Sequence, residues 1–357
     1  QALEFLRQLA QFGYNFGLER IKELLRRAGS PHEQLKYIHI GGTNGKGSVA
    51  AMVTAILQEA GYKVGLFTSP HLHSYTERMR INSVAIKEEK MAALIKWFKP
   101  LLTEMVTGGY EHPTEFEVLT ALALKYFADQ KVDLVVLEVG LGGEIDSTNV
   151  IASSLVSVIT NVSMDHMQHL GNTVAEIARD KAGIIKEQGI VVTAAHQPEA
   201  LAIIRRACEE RSATLYCVGK DATWQERKVS SAGGEFDYQG LLGTYHRLKI
   251  TLLGRHQLEN AATAVAVTEA AVYHHGLKVS SEHICLGLAT ASWPGRLEIM
   301  HRQPTVIIDG AHNLDGAVSL SKALNEIFIY RRLILVIGML ADKEREKVVA
   351  KLAPLAA

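Results

Sequence analysis

The sequence predicts an α/β protein in two parts, built on a mostly parallel sheet with helices on both faces. Three observations carry this expectation. The runs VDLVVLEVG and LVSVITNV are continuously apolar, β-branched and of strand length, the pattern of strands covered on both sides. They alternate with helix-length segments, the order expected of βαβ units. At 357 residues the chain also exceeds one typical core, since domains average about 150 residues.

In order along the chain, QALEFLRQLAQFGYNFGLER is amphipathic and charged, unlike a secretory signal. KYIHIGG reads as a strand, GKGSVAAMVTAILQEAG as a helix closed by Gly61, and KVGLFTS as the next strand. The two buried runs follow, and GIVVTAA, PEALAIIRRACEE and TLYCVG continue the strand–helix–strand alternation. Residues 234–254, GEFDYQGLLGTYHRLKITLLG, have short alternating runs and turn glycines, which predicts a small antiparallel insert. Helical patterns return at HQLENAATAVAVTEAAVYHHG and SEHICLGLATA.

Pro294-Gly295 is the clearest punctuation in the second half, and the expected domains are residues 1–293 and 294–357. Beyond it TVIIDG reads as strand, LDGAVSLSKALNEI as helix, RRLILVIGM as strand and DKEREKVVAKLA as helix. This is a smaller, Rossmann-like α/β domain. Two or so strands are few for an independent sheet, there is no initiator Met, and the chain stops in KLAPLAA. The expectation is a chain cut at both ends, with the second domain truncated.

Lys plus Arg equals Asp plus Glu at 38 each, so no single-sign field points to nucleic acid or anionic lipid. No apolar run approaches the roughly 20 residues that span a bilayer. The three cysteines, Cys208, Cys217 and Cys285, have no metal-ligand spacing and an odd count. Reduced thiols in a cytoplasmic protein follow.

The stretch YIHIGGTNGKGSVAAMV, residues 37–53, resembles a phosphate loop with the wrong spacing: Ile40 stands where the usual pattern has glycine, and Gly47 separates Lys46 from Ser48. Its context is nevertheless the required one, a strand, a glycine turn and a helix start. Backbone N–H groups around Asn44, Gly45 and Gly47 offer an anion site, Lys46 adds a cation, and the Ser48 hydroxyl suits a magnesium ion. Glu138 ends a buried strand and faces that loop across the carboxyl edge of the sheet, a natural Mg²⁺ ligand beside triphosphate. Asp165 and His166 follow another strand at the same edge. Lys181, on or just after a helix, reads on its own as a solvated lysine. Asn260 stands alone among small residues, Asp309 and His312 fill a strand-to-helix turn, and Arg296 follows the linker with a forked donor suited to phosphate. Together these loops predict ATP and Mg²⁺ in a cleft between two α/β domains.

The ordered series GTNGKGS, TSPHL with YTERMRIN, EVGLGG-x-x-DSTN, TNVSMDH-x-x-x-LG-x-T, DKAGIIK, GRHQLENA, WPGR-x-E and DGAHN closely resembles folylpolyglutamate synthases and the bifunctional dihydrofolate/folylpolyglutamate synthases of the Mur ligase superfamily. The resemblance covers essentially the whole chain, and GTNGKGS is that family's own form of the loop. It implies an ATP-dependent ligase joining L-glutamate to folate, or to dihydropteroate, through an acyl phosphate. It implies that Lys46 and the loop hold the β- and γ-phosphates. Ser69, Glu138 and His166 match Mg²⁺ ligands, with Ser48 beside them. Lys181 matches a lysine carbamylated in the family, and Asn260, Arg296, Asp309 and His312 match positions meeting ATP. The segment SPHLHSYTERMRIN would flank the folate site, with Arg78 and Asp146 as candidates on that side. Family members usually carry Arg where this chain has Glu144, and their C-terminal domain extends beyond residue 357. A monomer is expected, without nucleic-acid or membrane partners. The competing readings are a non-catalytic nucleotide-binding protein and another Mur-type amide ligase.

Overall fold

The structure is a computed structural model that describes residues 2–13, 15–340 and 343–356. Helices α1 (Ala2–Leu9) and α2 (Glu19–Arg27) precede strand β1 (Tyr37–Gly41), which runs through the NGKGS turn into α3 (Lys46–Glu59). Next come β2 (Val64–Phe67), β3 (Met79–Ile81), β4 (Val84–Ala85), α4 (Glu88–Thr107), α5 (Glu115–Asp129), β5 (Leu134–Glu138) and β6 (Val156–Ile159). The chain continues through α6 (Met167–Leu170), α7 (Val174–Ala182), β7 (Ile190–Thr193), α8 (Pro198–Glu210) and β8 (Thr214–Cys217). These strands form one eight-stranded sheet of order β4-β3-β2-β5-β1-β6-β7-β8. It is parallel from β2 to β8, with β3 and β4 antiparallel at one edge.

The two faces of the sheet divide residue by residue. Ile38, Ile40, Leu134, Val136, Val156 and Val158 face α3 and a later helix. Tyr37, Val135 and Leu137 face the layer of α1, α2, α4 and α5, and Ile159 and Val191 face α7 and α8. A strand alternates its side chains between faces, so burial on both sides requires the unbroken apolar runs of the sequence.

The expected antiparallel insert is present as β9 (Thr223–Ser230), β10 (Gly233–Gln239) and β11 (Thr244–Ile250), in the order β11-β10-β9. Its Phe236, Tyr238, Leu248 and Ile250 pack against α9 (Arg255–His275). Glu269 of α9 fastens this sheet, accepting hydrogen bonds from Tyr238 Oη at 2.8 Å and from the Leu241 and Leu242 amides at 2.8 and 3.1 Å. Helix α10 (Ser281–Thr290) then packs on α3 and leads to the linker.

After the linker, β12 (Glu298–Arg302) and β13 (Thr305–Ile308) form an antiparallel hairpin, followed by α11 (Leu314–Ile327) and α12 (Arg345–Leu352). The run RRLILVIGM, expected as a strand, joins no ladder; Ile334 is 72% and Val336 91% exposed. A strand exists only by pairing, and β12 and β13 pair with each other alone. The helix expected from Asp342 begins at Arg345 in the structure, and Asp342 itself lies outside the described residues. Among the described residues no helix is long and apolar enough to cross a membrane.

Candidate functional site

Strand β1 lies between β5 and β6; the connection from β1 runs toward β2 on one side of the sheet, while that from its neighbour β6 runs toward β7 on the other. That is a topological switch point, where ligands bind beyond the carboxyl ends of parallel strands. The loops leaving β1, β5 and β6 carry NGKGS, Glu138 with its glycines, and Asn161 with Asp165 and His166. They open onto a cleft of about 310 Å³, roofed by residues 296–320 and floored by the start of α9.

The phosphate-type loop is tightly held. The Thr43 amide donates to Asn161 O at 2.8 Å, the Asn44 amide to Asn161 Oδ1 at 2.7 Å, and Thr160 Oγ1 to Asn44 O at 2.7 Å. Gly45 begins α3 with φ of 88°, a left-handed conformation that glycine adopts without strain, and Asn260 occupies the space where a β-carbon would stand. The free amides at the start of α3 therefore point into the cleft beside Lys46, Gly47 and Ser48. Lys46 Nζ folds back onto Gly42 O at 3.0 Å and Thr43 O at 3.1 Å. Burial lowers its pKa, against the pull of Glu138 and Asp165.

Glu138 is 4% exposed, and its Oε2 accepts the Ser69 amide at 3.0 Å. Burial raises its pKa while Lys46 opposes the shift. Lys181, also 4% exposed, donates to Gly42 O at 3.1 Å. Burial, then the charge of Lys46, brings its pKa down to about 7. Burial likewise takes His166 down to about 4, so its imidazole is neutral near pH 7. Asp165 behaves oppositely: burial pushes its carboxyl up, but hydrogen bonds from His312, Asn313 and Lys343 outweigh this and hold it well below the usual range.

The roof is joined to the loops after β1 and β6 by polar contacts. Asn44 Nδ2 donates to Asn313 Oδ1 at 3.2 Å and to Asp315 Oδ2 at 3.1 Å, and Asn313 Nδ2 donates to Asn44 Oδ1 at 3.1 Å and Asp165 Oδ2 at 3.0 Å. Asn161 Nδ2 reaches Asp315 Oδ2 at 2.7 Å, and Lys343 Nζ reaches Asp165 Oδ1 at 3.0 Å. Asp309 accepts the Leu297 and Ala311 amides, both at 2.8 Å, and so fixes the linker against the turn carrying His312.

Of the residues expected from sequence, Asn44, Gly45, Lys46, Gly47, Ser48, Ser69, Glu138, His166, Lys181, Asn260, Arg296, Asp309 and His312 all line this one cleft. Arg78 and Asp146 do not. Arg78 Nε donates to His71 Nδ1 at 2.9 Å, outside the cleft. Asp146 is buried, accepting the Leu141 and Thr148 amides at 2.8 and 2.9 Å, which shapes the glycine turn after Glu138. The solvated reading of Lys181 is also overturned, because α7 carries it inward beneath the loop after β1. Sequence reasoning missed Asp315, Asn313, His196, His256, Gln257 and Glu259. The signal for Asn313 was present: its side chain caps α11 by accepting the Gly316 amide, a usual role for Asn at that place.

A phosphate-type loop at the switch point of a parallel sheet, facing a buried carboxylate and lysine, defines a nucleotide-binding α/β protein. Comparison with known families narrows this. The Mur ligase middle domain matches residues 40–268, and the Mur ligase glutamate ligase domain matches residues 295–357. Over 347 residues the chain is 40% identical to the dihydrofolate synthase/folylpolyglutamate synthase of Bacillus subtilis, covering 97% of this chain and 80% of that protein. The solved folylpolyglutamate synthase of Thermotoga maritima is similar at 42% identity and a TM-score of 0.88, over 98% of this chain and 80% of that one. That of Mycobacterium tuberculosis complexed with ADP is similar at 35% identity and a TM-score of 0.93, over 99% and 80%. The chain belongs to the Mur ligase family, in its dihydrofolate synthase/folylpolyglutamate synthase branch.

Proposed function

We propose that this chain is an ATP-dependent ligase that joins L-glutamate to the carboxyl group of a folate, with dihydropteroate as a second acceptor. The observation that carries the reading is the single cleft in which NGKGS, Glu138, Lys181 and the Arg296–His312 roof meet. A carboxylate oxygen of the acceptor attacks the γ-phosphorus of ATP, and ADP leaves. The amine of glutamate then attacks the acyl carbon, loses a proton and expels phosphate, leaving an amide. Each step concentrates negative charge, and preorganised donors in a water-poor site are the strongest means of stabilising it.

In this reading the α3 amides and Lys46 receive the β- and γ-phosphates, Lys46 leaving the Gly42 and Thr43 carbonyls it now holds. Arg296 and His312 meet the nucleotide from the roof, and Asn260 from the floor. Asp309, whose two oxygens already accept backbone amides, keeps that roof in place. Among the described residues no three His, Cys, Asp or Glu side chains are arranged to hold a metal ion. That donor set fits Mg²⁺ entering with ATP, because Mg²⁺ takes one or two carboxylates and completes its shell with phosphate and water. Glu138, the neutral imidazole of His166 and the Ser48 and Ser69 hydroxyls would hold it, and it would neutralise phosphate charge. Lys181, made partly neutral by burial, is the amine we assign to carbamylation.

Division of the chain into residues 1–293 and 294–357 is supported by the apolar cluster of Ala317, Val348 and Leu352, whose members all lie beyond the linker. A monomer remains the expectation, and the free thiols of Cys208, Cys217 and Cys285 favour a cytoplasmic setting. Arg78 keeps its assignment to the acceptor side, beside His71 and Tyr75. The deciding experiment incubates the protein with ATP, Mg²⁺, labelled glutamate and either tetrahydrofolate or dihydropteroate. Label is expected in the folate product, and label in neither acceptor would sink the proposal.

A further inference from the structure

Gly47 is the residue that breaks the common phosphate-loop spacing, and its surroundings supply a reason. A β-carbon at position 47 would lie 2.7 Å from Nε1, 2.9 Å from Cε2 and 3.0 Å from Cζ2 of Trp293. The indole edge thus occupies the space that any larger residue at 47 would need. Trp293 belongs to the linker, immediately before Pro294-Gly295 and close to Arg296, which lines the cleft. The guanidinium of Arg80, in β3, lies over the Trp293 ring 5.5 Å from its centroid. The linker is itself fixed to the roof, because the Gly310 amide donates to Gly295 O at 2.9 Å.

We propose that Trp293 is a positioning residue for the nucleotide: its indole, seated on Gly47, holds the NGKGS backbone in its triphosphate-receiving shape and ties that shape to the linker carrying Arg296. This rests on the reading of NGKGS as the phosphate site. The glycine and the tryptophan are then mates across the two ends of the chain. Gly47 is small because the indole fills its side-chain space, and the indole finds its seat because Gly47 lacks a side chain. A β-carbon forced against a ring held by Arg80 and the linker overpacks the contact, and close-packed interiors tolerate that poorly.

The test is a double-mutant cycle on the whole chain, using Gly47→Ala, Trp293→Ala and the pair. ADP affinity is read by calorimetry, and KM for ATP, KM for the acceptor and kcat by turnover. Gly47→Ala is expected to weaken ADP binding and raise KM for ATP by about tenfold or more, with a smaller change in KM for the acceptor. In the pair, the space vacated by the indole accepts the new methyl group, and ADP affinity returns to that of Trp293→Ala alone. A purely structural tryptophan would lower the melting temperature of each variant without this compensation at 47. If Trp293→Ala does not fold, Trp293→Leu replaces it in the cycle, judged by the same return of affinity. Losses that simply multiply in the pair, or a Gly47→Ala protein that binds ADP like the parent, overturn the proposal. Lys46→Ala separates the underlying reading: unchanged ADP affinity there would remove the phosphate site itself, whatever the cycle gives.

Discussion

Lys181 is the cleft residue whose chemistry burial changes into something new. Its pKa falls from the ordinary 10.5 to about 7. At pH 7 about half of the amine is then neutral, against roughly three in ten thousand for an exposed lysine. Carbamylation needs that neutral form: its nitrogen lone pair attacks the carbon of CO₂ and one proton leaves, so that, with the proton already lost from the ammonium, a cation becomes an anion. Capture at pH 7 is therefore favoured about a thousandfold over a surface lysine. The neutral fraction is about nine-tenths at pH 8 and about one-tenth at pH 6, so occupancy and turnover should fall as pH drops through 7. ¹³C NMR in labelled bicarbonate should show a carbamate resonance that Lys181→Ala lacks. That variant should also lose about 10–100-fold in turnover, the scale for removing a group that supports a metal-phosphate site. Full turnover in CO₂-depleted buffer without the resonance, or near-parental turnover in Lys181→Ala, would refute the reasoning. The same shift bears on stability. The folded-state pKa lies below the unfolded one, so the unfolded chain binds more protons between pH 7 and 10.5. Burial of the amine costs in full below pH 7, about 5 kcal/mol, and the cost fades as pH rises through that window.

Further outcomes follow from the same geometry. Lys46→Ala should lower kcat about a hundredfold or more, with a smaller change in KM for the acceptor, because it removes a cation aimed at developing phosphate charge; steady-state kinetics read the split. Asp315→Ala removes the acceptor shared by Asn44 and Asn161 and should cost about 1–3 kcal/mol, seen as a lower urea midpoint together with a raised KM for ATP. Glu269→Ala strands the Tyr238 hydroxyl and the Leu241 and Leu242 amides, for about 2–4 kcal/mol by chemical denaturation. Its KM for ATP should not change, because the contact lies in the antiparallel sheet, away from the cleft.

Much of the site was legible because its residues follow strands whose apolar runs are unmistakable. Once β1, β5 and β6 are read as parallel strands, their carboxyl ends must lie together, and NGKGS, Glu138 and His166 meet by topology alone. The roof was legible for the same reason at Asp309 and His312, but its attachment was not. Asn313 and Asp315 matter through partners on the far side of the cleft, and no local pattern records a contact of that range. RRLILVIGM shows the converse failure, because a β-branched run states only that a segment is fit to pair.

The sequence by itself determined the central sheet, its two-sided burial, the antiparallel insert and the phosphate-type loop, all properties of periodicity and local backbone geometry. Only the tertiary structure decided that Lys181 is buried rather than solvated, that Asp146 shapes a turn, and that the misplaced glycine of NGKGS faces the indole of Trp293. Those outcomes depend on which surfaces meet when helices and linker close over the sheet, and desolvation and close packing act only after they have met.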